Sequence, residues 1–295
     1  MYDIEKYYQA TGVEDAIRAL CEDERAMVIS GGSDVLIQCR EGRLAGCSLV
    51  SIHGIEELMG IEETGDGEII IRAATVFSHI ANSPVIQRTM PMLAYAVDQV
   101  GGPQIRNIGT IGGNVCNGVT SADSASSLWA LNATLELRGP QGTRTVPIRD
   151  FYTGAGKTVR KQNEILVAIH IEKKDYDGFG GCYLKYGKRE AMEIATLGCA
   201  AMTRLTPDKT ALQELRLAYG VAAPTPMRCW NTEAAVQGAR IDAELIERIA
   251  TGALSEVKPR TSWRASREFR LQLVSELCRR AVRQAIINAG GMADV

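Results

Sequence analysis

An α+β fold in more than one domain is predicted by this sequence: a two-part N-terminal domain over residues 1–176, with subdomains 1–55 and 56–176, and a C-terminal domain over 177–295 with a three-stranded sheet and helices. Three observations lead there. A chain of 295 residues is too long for one small core and fits two or three of typical size. Two glycine-rich segments, Gly31-Gly32-Ser33 and Gly109 to Asn114, interrupt strand and helix patterns in the first part. After a polar break at Lys173, Lys174, Asp175, Asp177 and Gly178, three strand-like runs precede two helical ones, the order of an α+β domain.

Thr11 and Glu14 have the spacing of a capping box, and Val13, Ala16, Ile17 and Leu20 then recur at helical intervals, which predicts a surface helix. Ala26 to Ser30 reads as a short buried strand, which Gly31-Gly32-Ser33-Asp34 breaks before a helix that opens on Val35, Leu36 and Ile37. Glu68 to Ala74 is a strand pattern. A helix starting at Pro91 runs through Leu93, Ala94 and Val97 to Val100, where Gly101-Gly102-Pro103 stops it. Residues 101–127 hold six glycines and many small polar residues; the segment reads as ordered loops, buried by Ile105, Ile108, Ile111 and Val115.

Strands resume at Thr134 to Arg138 and Thr143 to Ile148 around a Gly139 to Gly142 turn, and again at Ile165 to Ile171. Beyond the boundary near residue 177, strands are predicted at Cys182 to Tyr186, Thr196 to Leu205 and Leu212 to Val221, then helices at about 241–257 and 262–289. In the last helix Phe269, Leu273, Leu277, Ala281 and Ala285 share one face, and Arg279, Arg280 and Arg283 form its solvated side.

Lys plus Arg number 33 against 35 for Asp plus Glu, so there is no global field to draw in nucleic acid or an anionic membrane, and the expected partners are small molecules or other proteins. No run of about 18 apolar residues occurs, and the opening MYDIEKYYQA lacks the pattern of a leader, which predicts a cytoplasmic protein. Eight cysteines are scattered singly and only three histidines occur, so neither a zinc site nor an iron–sulfur cluster has its usual ligand spacing. The cysteines are predicted to be free thiols packed as small hydrophobes.

Unshielded backbone N–H groups bind phosphate well, and glycines at a sharp turn let a pyrophosphate reach the main chain. Either glycine segment alone is compatible with an ordinary turn. Together, flanked by apolar anchors and Ser, Thr and Asn donors, they suggest a dinucleotide laid across two loops. Neither has the G-x-G-x-x-G spacing of a nicotinamide-binding Rossmann unit. Gly154-Ala155-Gly156-Lys157-Thr158 imitates the end of an ATP phosphate loop, but Phe151 stands where its first glycine belongs.

VISGGSDVLI (Val28 to Ile37) and GGPQIRNIGTIGGNVCN (Gly101 to Asn117), followed by TSADSASSLWALNATLEL, resemble the two FAD-binding loops of the xanthine dehydrogenase family's flavin subunits, flavoproteins of the p-cresol methylhydroxylase type. The resemblance continues through FYTGAGKTVRKQNEILVAIHI, YLKYGKREAMEIATLGCAA, LRLAYGVAAPTPMRC and SWRASREFRLQLVSELCRRAV, almost the whole chain. It implies a p-cresol methylhydroxylase-type FAD domain and a molybdenum hydroxylase flavoprotein C-terminal domain. It further implies that Met27, Val28, Ile29, Ser30, Gly31, Gly32, Ser33 and Asp34, with Gly109, Thr110, Ile111, Gly112, Gly113 and Asn114, hold the pyrophosphate and ribose of FAD, chiefly by main-chain donors. Ser33, Thr110 and Asn114 would add side-chain bonds. Asp123 would accept from the adenosine side, Ile165 and Leu184 would flank the flavin, and Lys185 would sit near the polar edge of its ring, where a cation favours the anionic reduced form.

The family holds FAD without a covalent bond, so His53, His79 and His170 are read as structural. By the same resemblance, molybdopterin and two iron–sulfur clusters reside on two partner subunits, and the flavin passes electrons to NAD as the expected acceptor. No metal and no catalytic residue is assigned to this chain. Two other readings stay open: a stand-alone flavin reductase of the same fold, which Pro224 to Arg228 and the C-terminal helices argue against, and a non-enzymatic assembly protein.

Overall fold

The computed structural model describes residues 2–292. Its first unit is a three-stranded parallel sheet in the order β1 (Ile4–Gln9), β3 (Cys47–Ser51), β2 (Ala26–Ile29), with helices α1 (Val13–Glu22) and α2 (Val35–Arg40) in the crossovers. Val13, Ala16, Ile17 and Leu20 bury one stripe of α1 against Val50, Ile165 and Val167. On the opposite side, Ile29, Cys39, Cys47 and Leu49 form a smaller core under α2. The capping box is not made. The Thr11 amide and hydroxyl both donate to the Asp15 carboxylate, and the Val13 amide is taken by Glu57, 2.8 Å away, because the chain enters α1 extended through Gly12.

The second unit is an antiparallel sheet, β4 (Ile61–Glu63), β5 (Ile69–Arg72), β10 (Ile165–Ile171), β6 (Thr134–Gly139), β7 (Gly142–Pro147), in that spatial order. Central β10 is apolar on both faces: Ile165 and Val167 pack with the first unit, and Leu166, Ile169 and Ile171 with the second. His170 lies part-buried on this strand between Glu68 and Glu136, 3.0 and 2.9 Å from its ring nitrogens, so it ties neighbouring strands together. A row of short helices covers the sheet: α3 (Phe77–Asn82), α4 (Pro84–Thr89), α5 (Pro91–Asp98), α6 (Pro103–Arg106), α7 (Ile111–Cys116) and α8 (Asp123–Ala130).

The last three of these helices occupy the segment that the sequence predicts to be loops. Proline at N1 starts α6, and the Thr110 hydroxyl caps α7 at Gly113 N, 3.2 Å away; glycines within a one-turn helix obscure its period. Of the four apolar anchors named there, Ile111 and Val115 are buried, whereas Ile105 and Ile108 are exposed on the helix and turn above. The hairpin β8 (Tyr152–Gly154) and β9 (Lys157–Thr158) turns through Gly156 at φ +71°, and no helix follows it, which removes the ATP-loop geometry.

The third unit is an antiparallel sheet of four strands, not three: β11 (Gly180–Tyr186), β12 (Leu197–Leu205), β13 (Leu212–Gly220) and the two-residue β14 (Met227–Arg228), too short to leave a periodic signal. Both of its faces are covered. Leu197, Cys199, Leu217 and Tyr219 bury one face against α10 (Ala243–Glu256) and α11 (Arg267–Asn288), with α9 (Trp230–Ala235) alongside. Tyr183, Ala200, Met202 and Ala218 project from the other face into the core of the second unit, against α5 and α8. In α11 the predicted face is buried at Leu273, Leu277, Ala281 and Ala285, while Phe269 is exposed and stacks edge-on against Tyr186. Arg279 is not simply solvated; it grips Glu247 of α10 at 2.6 and 2.8 Å.

Candidate cofactor site

The first sheet ends on β2, and this edge is what builds the site. A parallel strand directs alternate residues to its neighbour. Ile29 accepts from the Ile52 amide, so it faces β3, whereas Ala26, one step out of phase with it, bonds Asp23 and Gln162 on the open side. Val28 and Ser30 share that open side, where no strand covers them. Past the strand end, the amides of Gly31, Gly32, Ser33, Asp34 and Val35 donate to no carbonyl or side chain among the described residues. Gly32 turns the chain at φ +72°, and Gly31 lies so close to the second loop that a Cβ there would come within 1.9 Å of the Ile108 carbonyl oxygen. A run of free N–H groups at a turn is a nest for anionic oxygen.

That edge forms one wall of a cavity of about 630 Å³, within the range of a cofactor site. Met27, Val28, Ser30, Gly31, Gly32, Ser33 and Asp34 line it from the first loop, Gly109, Thr110, Gly112, Gly113 and Asn114 from the second, and Ile165 from β10. The Ser30 hydroxyl oxygen is buried at this wall without a hydrogen-bond partner. Such a group is costly unless a ligand satisfies it.

The two loops are unequal in chemistry. In the second, Gly109 N donates to Ile105 O, Ile111 N to Thr75 O, Gly112 N to Ala73 O, Gly113 N to the Thr110 hydroxyl and Asn114 N to Thr110 O. These five amides hold the fold, and the Thr110 amide is the one of this loop that donates to no partner among the described residues. Ile111 and Ile29 are buried in the core rather than set in the cavity wall. The second loop contributes shape and side chains: Asn114, whose Oδ1 accepts from Ser124 at 2.7 Å, and the Thr110 hydroxyl, already engaged as a cap.

The family model for the FAD binding domain in molybdopterin dehydrogenase matches residues 2–173, and that for the CO dehydrogenase flavoprotein C-terminal domain matches residues 182–285. The chain is 43% identical to the putative xanthine dehydrogenase FAD-binding subunit of Escherichia coli K12, over 99% of each chain. The chain belongs to the FAD subunits of the molybdenum hydroxylases. It is 30% identical to the carbon monoxide dehydrogenase medium chain of Hydrogenophaga pseudoflava, over 95% of this chain and 96% of that one. The solved carbon monoxide dehydrogenase from that organism superimposes with a TM-score of 0.92 at 30% identity, over 98% of this chain and 99% of the other.

Membership in this family makes FAD the cofactor and oxidoreduction the activity, and the cavity suits such a group: a free amide nest, an unpartnered hydroxyl and a glycine approach that a side chain would block. Three of the expected residues, Asp123, Leu184 and Lys185, do not line this cavity. Asp123 and Lys185 form a buried ion pair at 2.8 Å, in which Lys185 also donates to Gln99 O and Tyr183 donates to Asp123, all at 2.8 Å. Burial drives the Asp123 carboxyl above its ordinary value, against the opposing pull of Lys185 and Tyr183. The pair sits between α8 and β11, outside the cavity wall. Leu184 packs among the C-terminal helices; in an antiparallel strand it must oppose Tyr183 and Lys185, so it faces away from the pair.

Several lining residues carry no sequence signal of this role. Val100 and Ile105 close one region of the cavity, and Thr153, Lys157, Thr158 and Arg160 come from the hairpin and the segment after it. Arg160 is held by the carbonyls of Lys161, Gln162 and Glu164, with Glu164 at 2.8 Å. Glu164 is itself clamped by Arg144 through two 2.8 Å bonds. Cys116 also lines the cavity, and burial raises its thiol to about 11.

Proposed function

We propose that this chain is the electron-carrying flavin subunit of a xanthine dehydrogenase-type molybdenum hydroxylase, taking electrons from an iron–sulfur partner subunit fed by a molybdenum-cofactor partner, and passing them to NAD. The open edge of β2 leading into the amides of residues 31–35 carries this reading. Bound FAD supplies two-electron chemistry on one side and one-electron chemistry on the other. The chain's own groups then have separable tasks. The 31–35 amides and Ser30 neutralise and fix the diphosphate, and Arg160, immobilised by three carbonyls, adds positive charge to the wall. Asn114, Ser33 and the Val28 peptide orient the remaining polar groups.

The FAD is proposed to be held without a covalent bond. None of the three histidines lines the cavity, and the Cys116 thiol, kept protonated by burial, is a weak nucleophile. Among the described residues no group of three or more His, Cys, Asp or Glu side chains converges on a metal position. The molybdenum and iron–sulfur chemistry is assigned to partners on the ground of the family membership. No helix among the described residues is long and apolar enough to cross a membrane.

Acid precipitation of the purified chain tests the cofactor mode, with yellow flavin expected in the supernatant and none in the pellet. Anaerobic spectroscopy tests the role. NADH should bleach the flavin of the isolated chain, whereas xanthine should bleach it only after the two partner subunits are added; bleaching by xanthine alone would refute the proposal.

A further inference from the structure

Within residues 260–270 lie Arg260, Arg264, Arg267 and Arg270, and none has a carboxylate within 4 Å among the described residues. Several other half-buried or buried arginines are paired with acids, as at Arg138, Arg144, Arg216, Arg228 and Arg279. The contrast is sharpest at Arg270. It is 2% exposed, donates to Thr196 O and the Ser262 hydroxyl, and leaves Nε without a partner. Arg264 Nε and the Thr196 hydroxyl are likewise buried and unpartnered. Burial first, then Arg260 and Arg264, pull the Arg270 guanidinium below its ordinary value. Positive charge predominates here, and none of the four arginines is ion-paired among the described residues. Of the nearby acids, Glu193 is held by Arg189 at 2.9 Å, while Glu190 and Glu268 are exposed and pair with none of these arginines.

The same surface carries aromatic and apolar groups that nothing covers. Trp263 is 78% exposed, flanked by Arg264 and Lys188 with 4.1 and 5.9 Å to its ring centre, and Met192 and Ile194 are exposed on the loop between β11 and β12. Tryptophan and arginine are the residue types that dominate binding hot spots. The loop packs beside the cavity wall. Met192 packs on Gly102, whose neighbours Val100 and Ile105 line the cavity.

We propose that this arginine turn, with Trp263 at its centre, seats an acidic surface of the electron-donating partner subunit. The inference rests on the flavin-subunit reading above. Arg260, Arg264 and Arg267 meet the partner's carboxylates, Trp263 fills an apolar recess between them, and buried Arg270 shapes the turn and strengthens its field. The partner is thereby brought beside the cavity wall at Ile105. A small phosphate ligand would use the arginines but would leave Trp263 idle.

The test uses the FAD-loaded full chain and its own iron–sulfur and molybdenum subunits, with affinity measured by titration calorimetry across salt concentrations. Wild type should bind with an affinity that falls steeply as salt rises. Arg260→Glu with Arg267→Glu should weaken binding by about a hundredfold, and Trp263→Ala alone by roughly tenfold, with flavin content and thermal unfolding unchanged because all three side chains are exposed. Variants that bind like wild type overturn the proposal. So does a wild-type chain that forms a dimer dissolved by Trp263→Ala, since the occupant is then a second copy, or inorganic phosphate that competes fully with the partner. A wild-type chain without flavin refutes the underlying reading instead, and flavin content reports that independently of partner affinity.

Discussion

Gly31 and Gly112 both look like cofactor glycines in the sequence, yet the atoms around them assign opposite tasks. A Cβ at Gly112 would lie 2.6 Å from the Ala73 carbonyl oxygen, to which Gly112 also donates, and its φ is not in the left-handed region. Gly112→Val is therefore expected to lower thermal stability as its primary effect, by about 2–4 kcal/mol, with flavin loss only secondary. Denaturant unfolding without added FAD checks this. Ser30 gives the opposite sign. Its unpartnered buried hydroxyl contributes nothing to the ligand-free fold, so Ser30→Ala should leave unfolding unchanged or raise its midpoint, while the Kd for FAD rises by about fivefold to tenfold, one hydrogen bond's worth. Unfolding and flavin titration on the same two variants separate scaffold from site. Spacing alone does not, because both glycines sit in runs of the same composition.

At the scale of elements, strands with long apolar runs or a clear turn beside them were legible, whereas β1, β14 and the central β3, whose CSLVS is short and half polar, were not. β10, β12 and β13 announce themselves by apolar runs, and α1 by its stripe. Strand β1 is polar on most positions, and β14 has two residues, so neither leaves a pattern. The 101–127 segment misled for a related reason: six-residue helices supply too few turns for a period to emerge, and glycine lowers their propensity. In the first glycine loop a strand, a break and a helix in succession leave free amides. The second has a similar composition, but tertiary bonds to Ala73 and Thr75 occupy two of its amides. The Arg144 to Glu164 clamp behind Arg160 also belongs to this scale. Burial raises the Glu164 carboxyl, but the Arg144 bonds and the Lys161 amide outweigh it and hold it below its ordinary value. A depressed folded-state value means that this stabilisation is present above the unfolded carboxylate range, near pH 4–5, and is lost as pH falls through the folded value. Flavin retention should decline over that acid window, and Arg144→Met should move the decline to higher pH, measured by flavin fluorescence.

At the scale of the whole molecule, the boundary near residue 177 divides the chain's sheets but not its cores. Tyr183, Ala200, Met202 and Ala218 of the C-terminal sheet complete the apolar core under α5 and α8, and the Asp123 to Lys185 pair crosses the same seam. Arg216 crosses it again, bonding Ala130 O and the Asp175 carboxylate at 3.1 and 3.0 Å. A fragment ending at residue 176 keeps both glycine loops yet strips α8 of its cover and leaves Asp123 without its cation or its tyrosine. It is expected to bind a hydrophobic dye and to retain little FAD, although every residue of the cavity wall is present. Co-expression with residues 177–295 should restore flavin content. The single change Lys185→Met tests the charge component of the seam. An uncompensated buried carboxylate costs about 3–5 kcal/mol, and the sign of its pH dependence follows from the direction of the shift. The Asp123 carboxyl is already raised in the folded chain, and removing Lys185 raises it further, so the folded state resists ionisation that the unfolded state undergoes near pH 4. Lys185→Met should thus be close to wild type in stability at the acid end and fall progressively behind it as pH rises toward 7. Denaturant unfolding of both proteins from pH 4.5 to 7.5 measures this gap, and a gap that shrinks with rising pH would refute the assignment of the pair as a structural tie between the two domains.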